Sequence, residues 1–410
     1  MPSPIPGQED FNQRGKTFRL ELLRAMPAGF VDTAASTFAL FIAIRVFDLS
    51  PLMKGAMISA GSVGLLLSLF IVQIARRLGR PVNRLAALIW VIAAHGFAMA
   101  ALSEGHGNRY FSGCFIAFTA LGMGTPLIAQ IYRKHYPDQS RGRLFSFTAM
   151  MRASAAGLVA WGVGAWISSR DGAFSPLFWA YAGACLAMAA CVTAVAPVVL
   201  RRTIQLKWFD AFRHVGGDAP FRKLLKVWMV FGLGNLISWA LFVEFISNPV
   251  YGFGLDAENV AIISSTVPMV VFIACVVPWG FVFDRLPFYS VRALVNVFFI
   301  AGILIFFLGG NWLSLCIGIG LHGVARSGGN ILWTLWVTRF ADSERVLEYM
   351  SVHTFLTGLR GVFAPLIAFT AAEFLTPTWV AWTSASLIFL STLAILPEIR
   401  EELTRRKARA

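Results

Sequence analysis

Apolar residues along this chain gather into blocks of about 20, the length an α-helix needs to cross a ~30 Å hydrocarbon layer, and polar or basic residues fill the gaps between them. Twelve blocks are predicted to be membrane-spanning helices. In the first half they run 26–47, 52–75, 84–102, 110–132, 144–168 and 176–199. In the second half they run 224–247, 258–282, 291–309, 312–337, 350–374 and 378–397. Barrel strands are excluded by length, since they would be ~10 residues of alternating polarity. The expected fold is an all-α membrane protein with twelve transmembrane helices in two pseudo-symmetric six-helix bundles around a central cavity. Its expected parts are an N-terminal segment 1–25, a bundle 26–199, a linker 200–223, a second bundle 224–397 and a basic tail 398–410.

Composition strengthens that picture and charge orients it. Of 410 residues, 57% are apolar and 14% charged, against about a quarter charged in an ordinary soluble domain. Mean hydropathy is +0.68. A net charge of +14 raises the question of nucleic acid, but the basic residues sit between apolar blocks rather than along one face, so no nucleic-acid partner is expected. With the N-terminus inside, the inner segments hold 28 Lys and Arg residues and the outer segments only Lys54, Arg109 and Arg170. That bias predicts both termini in the cytoplasm and, by default, a bacterial-type inner (plasma) membrane. The first 17 residues lack an apolar stretch with a cleavage site, so the first span is expected to do the targeting. The five cysteines lie inside apolar blocks without a CxxC pair and read as packing residues, with neither a disulfide framework nor a metal site. In the linker, Ile204, Trp208, Phe209 and Phe212 recur at helical spacing beside basic residues, which fits either an interfacial helix or a solvated connection.

The halves repeat each other at a shift of 204–208 residues: Arg77-Leu78 matches Arg285-Leu286, Arg84 matches Arg292, Asp138 matches Asp342, Arg141 matches Arg345, and Gly157 matches Gly361. The loop after the eighth span reads Gly280-Phe-Val-Phe-Asp284-Arg285-Leu-Pro. Its counterpart after the second span reads Arg76-Arg77-Leu78-Gly79-Arg80-Pro81, with Arg76 where a carboxylate would match. In these motifs, and over about residues 20–398, the chain resembles the major facilitator superfamily of secondary transporters. The resemblance implies alternating access about a midplane site between two six-span halves. It also implies a gating role for Gly280, Asp284, Arg285, Arg77, Gly79 and Arg80, and spans 1, 2, 4, 5, 7, 8, 10 and 11 as the cavity lining.

A charge at a helix centre costs at least ~2.5–3.5 kcal/mol, so each one needs an explanation. At 1.5 Å per residue, Asp32 lies roughly 12 Å beyond Arg24, Arg152 roughly 14 Å beyond Arg143, Arg360 roughly 18 Å beyond Glu348 and Arg326 roughly 20 Å from Arg339, all near mid-bilayer. Glu244 and Arg45 fall near the outer surface and read as snorkelling residues. His322, Arg326, Asn330 and Trp333 follow at i, i+4, i+8 and i+11, one face of the tenth span; His353, Thr357 and Arg360 do the same on the eleventh. These residues either contact a substrate or pair among themselves, and Arg152 stands open to the same two readings. Asp32 is the one deep carboxylate: a proton carrier, an ion-pair partner, or a contact for a cationic substrate. Three deep arginines against one aspartate leave an excess of about +2, which an organic anion or acidic sugar would relieve. His95 is expected to pack, and Trp90, Trp179, Trp312 and Trp379 to anchor at the interfaces. The expected protein is a monomeric transporter of a small polar solute in the lipid bilayer. A proton is its possible coupling ion, and it has no cofactor and no catalytic motif. The alternatives are a drug or metabolite efflux permease and a non-transporting sensor or scaffold.

Overall fold

In a computed structural model of the chain, residues 8–136, 138–170, 173–200, 212, 216–335 and 346–407 are described. The first helix, α1 (Gln8–Thr33), runs through a π-helical turn at Ala34–Phe38 into α2 (Ala39–Arg45). Then follow α3 (Pro51–Leu78), α4 (Val82–Ala101), α5 (Gly107–His135), α6 (Asp138–Ser168) and α7 (Ser175–Ala194). The second half holds α8 (Ala219–Ser247), α9 (Ala257–Ala261), a second π turn at Ile262–Thr266, and α10 (Val267–Arg285). It ends with α11 (Phe288–Leu308), α12 (Trp312–Leu335), α13 (Val346–Ala372), α14 (Pro377–Leu393) and α15 (Leu396–Lys407).

Helix ends follow local chemistry. Ser50 accepts a hydrogen bond from the Met53 amide at 3.4 Å while Pro51 fills the first turn of α3, where a missing N–H costs nothing. Gly79 closes the same helix at φ 60°, a left-handed conformation that suits glycine. Asp218 caps α8 by accepting from the Phe221 amide at 2.9 Å, and its other oxygen takes the Tyr349 hydroxyl at 3.1 Å.

Among the described residues, ten helical stretches are long and apolar enough to cross a membrane, which makes this a multi-pass membrane protein. The expected spans 144–168 and 312–337 fall on α6 and α12, outside those ten. The chain divides into two compact units: residues 1–204 with 256–261, and residues 205–255 with 262–410. In the first unit α4 packs on α5 and α7, α3 on α5, and α1 on α6 and α7. In the second, α11 packs on α12 and α14, α10 on α12, and α8 on α13 and α14.

Several expectations are corrected. Trp90 is buried, with the Arg24 guanidinium 5.4 Å from its ring centroid, so it anchors nothing at an interface. Trp179, Trp312 and Trp379 are exposed. Glu244 is buried rather than snorkelling, and Asn248 Nδ2 donates to it at 2.8 Å. Glu21 and Arg24, counted among the charges of the N-terminal segment, are buried on α1. There Arg24 Nη2 donates to Glu21 at 2.6 Å, and Tyr132 on α5 gives Glu21 its hydroxyl proton at 2.7 Å. Arg292, counted with the inner basic residues at the start of the 291–309 span, is 1% exposed on α11 rather than open to solvent. The linker residues Ile204, Trp208 and Phe209 and the loop residues Asp342 and Arg345 lie outside the described residues; Asp138 and Arg141, expected in a loop, stand on α6, and their side chains lie outside the described set.

Candidate functional site

In the first unit the deep charges meet. Arg152 on α6 donates through Nε and Nη2 to the two oxygens of Asp32 on α1, each at 2.6 Å, a bidentate fork. The side chains are 49% and 35% exposed, so the pair faces open space rather than the helix core. Backbone proximity sets it up. A Cβ at Gly29 would strike the Arg152 carbonyl and stand 2.8 Å from Ala155 Cβ, so only glycine lets α1 and α6 approach this closely, one turn before Asp32. Two residues after Asp32 the helix widens into the Ala34–Phe38 π turn, a distortion frequent at functional sites.

The second unit gathers the other candidates around α8. His322 is buried. Its Nε2 lies 3.1 Å from Asn235 Oδ1, its ring stacks on Trp239 at 5.4 Å, and Phe299 and Phe242 meet it edge-on at 4.9 and 5.1 Å. One turn on, Arg326 is exposed and holds its guanidinium over Trp239, 5.0 Å from the ring centroid. Asn330 is exposed a further turn along. The Trp333 side chain lies outside the described residues. Arg360, half-buried on α13, donates from Nη1 to the Trp228 carbonyl at 2.6 Å, and its guanidinium occupies the place a Cβ at Gly232 would need. His353 is buried, its ring 5.6 Å from Trp228.

The motif residues are all at the surface of their own units. Arg77 and Arg80 are exposed beside Gly79. Asp284 and Arg285 are exposed, and Asp284 forms no ion pair among the described residues. The Arg285 carbonyl accepts from Arg406 Nη1 on α15 at 2.7 Å. A Cβ at Gly280 would meet nothing within 4 Å. Among the described residues, no cluster of His, Cys, Asp or Glu is arranged to hold a metal.

The sequence placed a span at 224–247 but singled out none of the α8 residues that meet these side chains. Trp228, Gly232, Asn235 and Trp239 stand at i, i+4, i+7 and i+11, one helix face, and they touch Arg360, His322 and Arg326. The signal was present: an amide and a glycine between two tryptophans, at the spacing already noticed on the tenth span.

No family model matches the chain, and no curated protein matches its sequence. Solved structures do match its fold. A mutant of the nucleoside transporter NupG superposes with a TM-score of 0.75 at 14% identity, over 93% of this chain and 99% of that one. The fold is shared with this solved transporter. A POT family transporter in complex with a thioalcohol-conjugated peptide gives 0.70 at 12% identity, over 94% of this chain and 96% of that one. A D-xylose–proton symporter gives 0.68 at 12% identity, over 93% and 97%. These relatives by fold are transporters rather than enzymes.

Proposed function

We propose that this major facilitator-type chain is a secondary active transporter that moves a small organic anion through the bilayer. On this reading twelve helices form two six-helix halves whose alternating access exposes one site to each side in turn. The observation that carries the substrate class is the surface of α12 and α8 in the second unit: the exposed Arg326 guanidinium over the half-buried Trp239, with the exposed Asn330 amide one turn on. A cation supplies the attraction for a carboxylate, a ring supplies a flat apolar contact, and an amide fixes orientation by hydrogen bonding. Because Arg152 is already matched by Asp32, the positive charges of Arg326 and Arg360 both belong to the second unit. His322 supports the platform from behind by fixing Trp239 and Asn235.

The Asp32–Arg152 pair is the natural place for proton coupling. Protonation of Asp32 removes one partner of a bidentate bond and releases Arg152, a change of charge and position in a single step. Asp284–Arg285 and Arg77–Gly79–Arg80 serve as inner gating loops. The protein is read as a monomer of a cell inner membrane with both termini cytoplasmic.

A thermal-shift screen of the purified protein across carboxylates, sugar acids, neutral sugars and drugs identifies the ligand. Counterflow of that ligand in proteoliposomes then tests transport. Exchange by the wild-type chain that is lost in Arg326→Ala supports the reading; binding with no exchange makes the chain a sensor. Asp32→Asn is expected to exchange solute but not to accumulate it against a gradient, and accumulation by that variant removes Asp32 from the coupling role.

A further inference from the structure

Two guanidiniums converge on one turn of α8 with no carboxylate among the described residues to meet them. Arg292 is rooted one turn into α11 and is 1% exposed. Its Cζ lies 4.0 Å from the Trp228 ring centroid and 3.8 Å from that of Phe231. Arg360 reaches the same turn from α13, bonding the Trp228 carbonyl through Nη1. Arg360 therefore brings a second cation to the turn on which Arg292 stacks. Among the described residues, neither arginine has an acidic side chain in ion-pair range.

Donors outnumber acceptors in the hydrogen-bond inventory as well. Arg292 Nε and Nη2, Arg360 Nε and Thr357 Oγ1 are buried and have no partner. Thr357 precedes Arg360 by three residues, on the same face of α13. Every charged group in this set is a donor. Aromatic faces soften a buried cation but accept none of its N–H bonds, and a buried charge without a counter-charge is costly. A group that offers several acceptor oxygens and negative charge removes both deficits at once, and guanidinium forks match carboxylate and phosphate geometry.

We propose that Arg292, Arg360 and Thr357 form an anion site in the second unit, taking a carboxylate or phosphoryl group beside Trp228. This station is distinct from the Arg326–Trp239 platform and shares only Arg360 with the transport reading. Two sources carry that chemistry, a free solute anion and the headgroup of an anionic lipid, since basic pockets between membrane helices bind such headgroups.

The test uses the full chain in nanodiscs of neutral phosphatidylcholine, titrated with inorganic phosphate or acetate against chloride at fixed ionic strength. A saturable rise in unfolding temperature is expected for the wild-type chain and for Arg326→Ala. It is expected to vanish in Arg292→Gln and Arg360→Gln and to survive in Arg292→Lys. Thr357→Val, a smaller change, is expected to weaken the response several-fold and serves if an arginine variant does not fold. In discs of phosphatidylglycerol, a raised starting temperature with no further response to phosphate, again dependent on Arg292, supports the site with lipid as its source. No response of the wild-type chain in either disc, or one that persists in both glutamine variants, overturns the proposal. Loss of solute exchange in Arg326→Ala with an intact anion response separates this site from the transport reading. So does an anion response in a chain that exchanges no solute at all.

Discussion

His322 and Arg326 stand one turn apart on α12, yet one is buried and the other exposed. Their spacing placed them on one face; it did not say what lay opposite. Asn235 and Trp239 on α8 decide that, closing over the imidazole and leaving the guanidinium on the rim. His322→Ala is therefore expected to lower stability by about 2–4 kcal/mol, as truncation of a packed ring does, with or without solute. His322→Gln keeps a partner for Asn235 and is expected to lose less; thermal unfolding in detergent ranks the two. A second contrast concerns the charge pairs. Arg24 and Glu21 have side chains 7% and 1% exposed, so Arg24→Gln strands a buried carboxylate and is expected to cost about 3–5 kcal/mol. Arg152 and Asp32 are 49% and 35% exposed, so removing one partner strands no group packed inside the protein and is expected to cost less. Arg152→Gln is expected to unfold within a few degrees of the wild-type chain, while Arg24→Gln unfolds far below it. Equal losses in the two variants contradict this ordering.

Among the helices, close approach depends on glycines that the hydrophobic pattern does not reveal. A Cβ at Gly29 meets the backbone of α6, whereas one at Gly162 meets nothing within 4 Å. Gly29→Ala is expected to push α1 from α6, cut the yield of folded protein and lower its unfolding temperature. Gly162→Ala, also within a helix, is expected to be neutral or slightly stabilising. The apolar blocks were legible because each must fill a fixed thickness of hydrocarbon, and the helix positions follow them. Helix ends were less legible. The span expected at 110–132 is a helix from Gly107 to His135, and that at 224–247 begins at Ala219, because helical hydrogen bonding continues beyond the apolar block until a cap or turn residue stops it. Arg292, at the start of the expected 291–309 span and counted with the inner basic residues, is buried by two aromatic rings. A one-dimensional charge count sees neither long side chains folding back nor the partner that receives them. Helix rise alone assigned Asp32 and Arg152 similar depths, but their pairing needed the packing of α1 on α6.

For the whole chain, the sequence repeats at a shift of 204–208 residues, and packing groups 1–204 with 256–261 and 205–255 with 262–410. Orientation across the bilayer rests on charge alone. With 28 basic residues assigned inside and 3 outside, translocating the inner segments instead would carry most of the chain's positive charge across the membrane. The structure supplies the means to check this, because the five cysteines are free thiols and two of them, Cys114 and Cys185, are buried. Replacing all five by Ser or Ala gives a background for single probes at Gln205 and Ala410, assigned inside, and at Ser169 and Asn311, assigned outside. An impermeant maleimide applied to intact cells is expected to modify Ser169→Cys and Asn311→Cys but not Gln205→Cys or Ala410→Cys until the membrane is opened. Labelling of the Gln205 and Ala410 probes in intact cells inverts the topology. It would also turn the inner gating loops outward, since Asp284, Arg285 and Arg77 lie on segments counted with the same basic group.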